Sequence, residues 1–389
     1  MAIENWVARH VESLTAFRRD LHQNPELLYD LPRTATTVAD ALRAAGVDEV
    51  IEGIGRTGVV GVIKGQSNTS GRMIGLRADM DALPIVEATG KDWASKVEGK
   101  MHACGHDGHT TMLLGAARHL VESRAFDGTV IVIFQPAEEG GAGAKAMIDD
   151  GLFSRWPCDE VYGMHNRPNL PVGEFTIAPG PIMGSVDEVR ITIEGRGGHA
   201  ARPNETIDTF PIAAAVIQAI QGITSRTVDP MDNAVVSLCT IHAGDAFNVI
   251  PQAIEITGTV RTLREEVRLH VENQLAALVP NIAAGFGAAG AVEYIRMYPV
   301  TVNHDHETTL AAAAAIEVAG ATHVSLDMPA VLGGEDFSFM LNEVPGAMIN
   351  IGNGPSAGLH HPEYDFNDDV IAWGCSYWTT LVRQRLPVN

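Results

Sequence analysis

The sequence has few cysteines, a shortage of basic residues and no long apolar run. Its 389 residues include only four cysteines, none in a Cys-x-x-Cys pair, so a disulfide framework is not expected in a chain of this size. No apolar stretch reaches the about 18 residues that a membrane helix needs. The first residues, MAIENWVARHVESL, lack the basic start and apolar core of a signal peptide, which predicts a cytoplasmic protein.

The negative charge of the chain argues against large anionic partners. There are 27 Lys and Arg residues against 48 Asp and Glu, a net charge of −21, whereas nucleic acids and anionic membranes need a basic surface. We therefore expect neither nucleic acid nor membrane as a partner, although the net charge says little about a small anionic substrate. With 46% hydrophobic and 19% charged residues, the chain is globular rather than disordered, and its length favours two or three domains.

Apolar runs and amphipathic patterns predict an α/β protein. Strands are expected at 58–63, 73–80, 129–135 and 160–165, with helices at 4–26 and 110–123 and a third in AGAKAMIDDGLF that ends near Gly151. Strands alternating with helices indicate βαβ units and a mainly parallel sheet, with helices on both faces.

The pattern changes near residue 185. VDEVRITIEG alternates polar and apolar residues, as a half-solvated antiparallel strand does. The order that follows reads β-α-β-β-α-β, a ferredoxin-like layout. We predict an α/β domain of residues 1–184 and 300–389, interrupted by an inserted α+β domain of residues 185–299.

Two motifs suggest chemistry that their context does not favour. Gly53–Gly58 matches G-x-G-x-x-G, but a strand rather than a helix follows it, which favours a turn over nucleotide binding. Residues 354–358 match the nucleophile motif G-x-S-x-G around Ser356, but Pro362 lies where the required helix would run. A serine hydrolase remains a rival hypothesis.

Ligand-type side chains are concentrated where predicted strands end. They lie in GLRADMDALPI (75–85), MHACGHDGHTT (101–111), FQPAEEGGAGA (134–144) and GMHNRP (163–168). Because open α/β sheets bind ligands beyond the carboxyl ends of their strands, we expect these segments to converge. A fifth candidate, Leu359-His360-His361-Pro362, follows the strand AMINIG.

A metal site explains this concentration better than isolated structural residues do. Glu138 and Glu139 directly follow an apolar strand, where two like charges carry a desolvation and repulsion cost that a divalent cation removes. The candidate donors are Cys104, His106, Glu139, His165 and His360. Five donors exceed what one tetrahedral ion uses, so we predict two ions about 3.5–4 Å apart. Glu138 is then the candidate general acid–base.

These stretches resemble the metal-dependent amidohydrolases that include hippurate hydrolase, N-acyl-L-amino-acid amidohydrolases and plant indoleacetyl-amino-acid hydrolases, kin of the aminoacylases. The segments that carry the resemblance are RADMDALP, HACGHDGHT, FQPAEEGGAGAKAMI, GMHN, GRGGHAARP, GGEDFSFM and LHHPEYDFND. The resemblance implies the same five metal ligands, with Glu138 as catalytic base. His361 follows His360, so the assignment could shift by one residue; the proline after the pair favours His360.

The resemblance implies further roles. Asp81 would orient a neighbouring ligand. His199 would stabilise the oxyanion, often in the neighbouring subunit's site. Asn248 and Arg261 would hold the substrate carboxylate, although Asn248 could equally cap a turn. The inserted domain would act as a lid and dimerisation domain, giving a homodimer or a dimer-based tetramer.

The predicted activity is hydrolysis of the amide bond of an N-acyl-L-amino acid such as a hippurate-like or N-acetyl compound. A dipeptidase with the same dinuclear site is the alternative, and a binding protein with one structural zinc is a rival of another class. Thiolate and imidazole donors suit zinc, while the carboxylates also admit manganese, nickel or cobalt. The acyl group is left open by the sequence.

Overall fold

The computed structural model describes the backbone of residues 2–388 and the side chains of residues 5–388. Within that part no helix has the length and apolar character needed to cross a bilayer. The α-helices are α1 (Ala2–Gln23), α2 (Pro32–Ala45), α3 (His106–Ser123), α4 (Gly143–Asp149), α5 (Leu152–Arg155), α6 (Thr209–Gly222), α7 (Glu265–Gly285), α8 (Asp305–Ala319), α9 (Phe337–Glu343) and α10 (Val370–Arg385).

The strands alternate with these helices along much of the chain. They are β1 (Glu49–Ile54), β2 (Gly58–Lys64), β3 (Met73–Asp79), β4 (Thr129–Gln135), β5 (Glu160–Pro168), β6 (Phe175–Thr176), β7 (Gly180–Met183), β8 (Val186–Glu194), β9 (Gly198–His199), β10 (Ala234–Ala243), β11 (Val249–Ile250), β12 (Ala253–Thr262), β13 (Ala289–Tyr298), β14 (Thr301–Asn303), β15 (Val324–Ser325) and β16 (Gly346–Gly354).

The chain divides into two compact units. The larger unit comprises Met1–Gly180, Val302–Pro329 and Asp336–Asn389, and the smaller one Pro181–Thr301 and Ala330–Glu335. The short segment Ala330–Glu335 therefore joins the smaller unit, whereas the sequence placed it in the domain of residues 1–184 and 300–389. Its local pairing explains this: Val331 forms a bridge to Met183 within the same unit.

The larger unit is built on an eight-stranded sheet in the order β1-β2-β4-β3-β5-β16-β6-β15. The four central strands β4, β3, β5 and β16 are mutually parallel, so their carboxyl ends lie along one edge. Every residue of β4 is buried, as expected for a parallel strand covered on both faces. Helix α3 packs against α1, α2 and α10. The predicted α/β class with a mainly parallel sheet is confirmed.

The smaller unit contains an antiparallel sheet in the order β10-β12-β8-β13. Burial alternates along β8, where Val189, Ile191 and Ile193 face the core. Helices α6 and α7 contribute the rest of that core through Val216 and Leu275. The chain order β8-α6-β10-β12-α7-β13 is the predicted β-α-β-β-α-β layout.

The backbone tests three local predictions: the start of α3, the end of the helix before Gly151, and the turn at Gly53–Gly58. Helix α3 begins at His106, four residues before the predicted start. The helix predicted to end near Gly151 is α4, which ends at Asp149, and Gly151, with a left-handed φ of 90°, separates it from the short helix α5. Gly53–Gly58 lies at the antiparallel β1–β2 connection, which confirms the turn interpretation.

Candidate metal centre

The predicted donors come from the parallel part of the large sheet and the segments beside it. Glu138 and Glu139 follow β4, His165 lies within β5, and His106 is the first residue of α3. His165 is not the last residue of its strand, since β5 continues to Pro168. The shared edge of parallel strands is what allows residues so distant in sequence to meet.

All six predicted residues of the centre, donors and candidate base, belong to overlapping groups of potential ligand atoms. In each group the ligand atoms lie within 4.8 Å of one another; the groups are Cys104–His106–His165, Cys104–Glu139–His360 and His106–Glu138–Glu139. Because Cys104, His106 and Glu139 each occur twice, the groups form one continuous cluster. The structure thus places together the residues that the sequence singled out.

Individual distances show how closely the side chains approach. Cys104 Sγ lies 3.4 Å from His165 Nε2, and His360 Nε2 lies 3.2 Å from Glu139 Oε1. His165 Nδ1 is 2.7 Å from the carbonyl oxygen of Asn166, to which an Nδ1–H donates. That bond fixes the tautomer and directs the unprotonated Nε2 at the cluster.

His106 provides the clearest test of whether a metal fits. Its side chain is buried, yet neither ring nitrogen has a hydrogen-bond partner of normal geometry among residues 5–388. Oxygens of Asp81 and Asp79 lie 3.5 and 3.6 Å from Nδ1 and Nε2. Buried polar atoms are nearly always paired, so an imidazole held this way among acids and a thiol fits a metal ligand.

Burial shifts two of the donors, Cys104 and His165, toward their neutral forms. It raises the pKa of the Cys104 thiol to about 12 and lowers the pKa of His165 to about 3. A divalent cation converts such a cysteine to its thiolate and needs the imidazole unprotonated. The donor set of thiolate, imidazole and carboxylate therefore suits a divalent metal.

Asp81 connects the two glutamates to the rest of the centre. Its carboxylate accepts the backbone N–H groups of Glu138 at 3.0 Å and Glu139 at 3.1 Å, and Oδ1 lies 3.5 Å from His106 Nδ1. The carboxylate is buried, and this burial raises its pKa. It therefore holds the backbone of the Glu138–Glu139 pair in place.

The structure distinguishes the two adjacent histidines. His360 has a left-handed φ of 62° and directs its ring toward Glu139 and Cys104. His361 Nδ1 instead accepts the backbone N–H of Glu363 at 3.1 Å. The geometry accordingly favours His360 as the donor.

The remaining predicted site residues belong to the smaller unit. His199, on β9, pairs with Val249 of β11, and the adjoining Ala200 N–H donates to the Asn248 carbonyl, so His199 and Asn248 lie on neighbouring backbone segments. Both are exposed. Arg261 lies on β12, half-buried, with Nε donating to Thr259 Oγ1 at 3.0 Å.

Sequence reasoning missed a buried polar network next to the donors. Arg77 donates to Asp79 at 2.8 Å, Gln135 at 2.8 Å and Asp336 at 3.2 Å. Asp336 also accepts the backbone N–H of Ala144, beyond the glutamate pair. The signals in the sequence were the charged Arg77 and Asp79 in an otherwise apolar strand, which is unusual for a strand buried on both faces, and Asp336 in the segment GGEDFSFM.

Comparison with known proteins agrees with this geometry. Residues 75–384 match the family model described as Peptidase family M20/M25/M40. The chain belongs to peptidase family M20/M25/M40. The resemblance inferred from the seven segments is thus confirmed, and the chain is a hydrolase of amide C–N bonds.

Relatives within the M20 family extend over nearly the whole chain. A hippurate hydrolase of Campylobacter jejuni is 42% identical over 95% of each chain, and an N-acetylcysteine deacetylase of Bacillus subtilis is 38% identical over 95% of each. A crystal structure of the Bacillus subtilis YXEP protein, described as a dinuclear metal-binding peptidase of the M20 family, has a TM-score of 0.86, is 34% identical and covers 97% of this chain and 99% of its own.

Membership of the M20 family leaves the rival serine mechanism without support. Ser356 Oγ donates to the carbonyl oxygens of Ala357 at 3.0 Å and Asp365 at 3.3 Å. No helix follows it before Val370. The hydroxyl group therefore stabilises its own loop.

Proposed function

We propose that this M20 hydrolase uses two divalent metal ions to cleave the amide bond of N-acyl-L-amino acids, with hippurate-like or N-acetyl-amino-acid substrates. The observation that carries the proposal is the continuous cluster of Cys104, His106, Glu139, His165 and His360, with Glu138 beside His106 and Glu139. The hippurate hydrolase and N-acetylcysteine deacetylase named above support the substrate class. Zinc or manganese suits the donors best, with nickel or cobalt as further candidates.

The metal pair, when bound, supplies two things: it makes an attacking water more acidic, and it polarises the acyl oxygen. Cys104, His106, Glu139, His165 and His360 would hold it. These side chains include a thiolate, imidazoles and a carboxylate, so the ligands differ in charge and in softness as metal donors.

Glu138 is placed to handle the proton. Its carboxylate belongs to the group that includes His106 and Glu139, it is 92% buried, and Asp81 fixes its backbone. In the proposed reaction it takes a proton from the attacking water and delivers it to the leaving nitrogen, as a general acid–base does.

Residues of the smaller unit would act on the substrate. His199 Nδ1 accepts the backbone N–H of Ala201 at 3.1 Å, so the neutral ring carries its hydrogen on Nε2, where it can donate to an oxyanion. Arg261 offers a guanidinium fork for the free carboxylate, and Asn248 offers an amide. We propose that His199 acts in its own or in the partner subunit's site.

We further propose a homodimer or dimer-based tetramer. Strand β10 is an edge strand of the smaller unit, and Ile241 on it is half-exposed. An unpaired edge with apolar side chains is a template for pairing with a second copy. Sedimentation of the purified protein checks this, and a monomer at micromolar concentration contradicts it.

Replacing Glu138 with Gln tests the proton-transfer role. The variant keeps the metal donors but cannot accept a proton, so we expect an unchanged metal content and a fall in turnover of about 10²–10⁴-fold. Glu343→Gln, at an exposed position of α9, is the matched control. Near-normal turnover by Glu138→Gln would refute the role.

Replacing His199 with Ala tests the oxyanion donor. Removing one such donor costs about 10²–10³-fold in kcat, and we expect a loss of that size with the metal content retained. A kcat within a few-fold of the wild type would exclude His199 from the reaction.

A panel of N-acetyl, N-benzoyl and dipeptide substrates separates the amidohydrolase from the dipeptidase alternative.

A further inference from the structure

His109 lies one helical turn after His106 but has very different surroundings. Both histidines are buried in the first turn of α3. His106 has no hydrogen-bond partner for either ring nitrogen among residues 5–388, whereas His109 is bonded at both. A histidine that already uses both nitrogens is poorly placed to bind a metal, even though it lies within 4.8 Å of His106 and Asp79.

The first bond of His109 is to a carboxylate. Nδ1–H donates to Asp79 Oδ1 at 2.6 Å, since an ionised carboxylate only accepts. The other oxygen of Asp79 accepts from Arg77 at 2.8 Å, and the side chains of all three residues are fully buried. Through Arg77 this pair joins the network that also contains Gln135 and Asp336.

The second bond of His109 is to the strand that carries His165. Nε2 lies 3.0 Å from the backbone nitrogen of Asn166 and 2.8 Å from its side-chain oxygen. Asn166 also contacts the Tyr364 hydroxyl at 2.5 Å, four residues after His360. His109 therefore bridges β3 and β5 at the edge where the donors converge.

The imidazole rings also pack against one another. The His109 ring centroid lies 4.5 Å from that of His165, at 65°, and 5.5 Å from that of His106, at 32°. Any shift of His109 would consequently displace two of the predicted ligands.

We propose that His109 is a positioning residue, which uses its bonds to Asp79 and Asn166 to fix the spacing of His106 and His165 for metal binding. The inference rests on the proposed dinuclear site and assigns a role to a residue outside the ligand set. Partners that orient metal ligands typically contribute 10–100-fold to metal affinity.

The test compares metal affinity in variants of the full-length protein. His109→Phe keeps the ring and removes both hydrogen bonds. Thr110→Val, the matched control, removes the 2.8 Å bond from the neighbouring Thr110 hydroxyl to the Asp79 carbonyl oxygen. The readouts are the Kd for Zn²⁺ or Mn²⁺, by competition with a chelating indicator, and the visible spectrum of the Co²⁺-loaded protein, which reports coordination geometry.

We expect His109→Phe to bind metal about 10–100-fold more weakly and to alter the Co²⁺ spectrum. We expect Thr110→Val to change neither, although it lowers stability. Wild-type affinity and spectrum in His109→Phe would overturn the proposal, as would an equal loss of affinity in Thr110→Val.

A second variant covers the case in which His109→Phe does not fold. His109→Asn retains a donor toward Asp79 and loses the contact with Asn166, so weaker metal binding is again expected, and unchanged binding overturns the inference. If the wild-type protein itself binds no divalent metal, the proposed function fails. If it binds metal and the His109 variants do so equally well, only the positioning role fails.

Discussion

Asp81 shows how one carboxylate can organise several residues of a metal centre. It accepts two successive backbone N–H groups after β4, and Oδ1, which accepts the Glu138 N–H, also lies 3.5 Å from His106 Nδ1. The residue contacts both the candidate base and a candidate ligand, without needing to touch the metal.

Replacing Asp81 with Asn keeps the shape of the side chain. It puts an NH₂ group, which cannot accept a hydrogen bond, against one of the two backbone N–H donors. We expect metal affinity or turnover to fall about 10–100-fold, measured by metal competition and steady-state kinetics. Asp159→Asn is the control, because Asp159 accepts the Met73 N–H at the opposite end of β3. Equal metal affinity and turnover in Asp81→Asn and Asp159→Asn would show that Asp81 does not organise the metal centre.

Donor residues could be predicted because their chemical types are rare after apolar strands. Glu139 and His165 stood out for that reason, and parallel strands bring such positions to one edge. The partners that hold them could not be predicted: nothing local links His109 to Asn166, 57 residues away. The choice of His360 over His361 likewise depends on a left-handed backbone that the sequence does not specify.

At the scale of elements, the first turn of α3 depends on Gly105. This residue has a φ of 93°, and a Cβ there would lie 2.4 Å from Asn166 Oδ1 and 2.6 Å from the Tyr364 hydroxyl. Only glycine allows both the left-handed conformation and the close approach. The backbone can therefore turn directly from Cys104 into the helix that carries His106.

The C-terminal helix α10 is tied to the start of β5 by Glu160. This carboxylate accepts from Arg385 Nε at 2.9 Å, from the Tyr162 hydroxyl at 2.6 Å and from Arg72. Burial opposes ionisation, but these bonds and the charges of the two arginines lower the pKa of Glu160. The ionised form therefore stabilises the fold.

Replacing Glu160 with Gln should lower the free energy of unfolding at pH 7 by about 1.5–3 kcal/mol, the range for hydrogen bonds to charged groups. Since the pKa is lowered in the folded state, this contribution is complete above the unfolded pKa of about 4.3 and is lost as the pH falls through the folded pKa. The free energies of unfolding of the wild type and Glu160→Gln, measured with urea from pH 7 to pH 3, should converge in acid.

An exposed ion pair provides the comparison for Glu160. Glu52 pairs with Arg43 at 2.5 Å on the surface, where water screens the attraction, so such a pair contributes little to stability. Glu52→Gln should therefore have a small effect at every pH. The stabilising role of ionised Glu160 would be contradicted if the free energies of unfolding of the wild type and Glu160→Gln were equal at pH 7, or if their difference widened in acid.

At the scale of the molecule, the interrupted architecture could be predicted from a change in periodicity. Runs such as TVIVIFQ indicate strands buried on both faces, while the alternation in VDEVRITIEG indicates a one-sided sheet. The edge strand β1 was not predicted, and neither was the antiparallel pairing of the predicted strand β2, because strand order depends on contacts between segments far apart. Ala330–Glu335 joins the smaller unit through such a contact.

Metal titration of the chelator-stripped protein, with bound metal and hydrolysis of an N-acyl amino acid followed together, tests the central claim most directly. We predict that the stripped protein is inactive and that activity rises with metal content until two ions are bound per chain. Full turnover without metal, or a single tightly held ion that activity does not follow, would contradict the account.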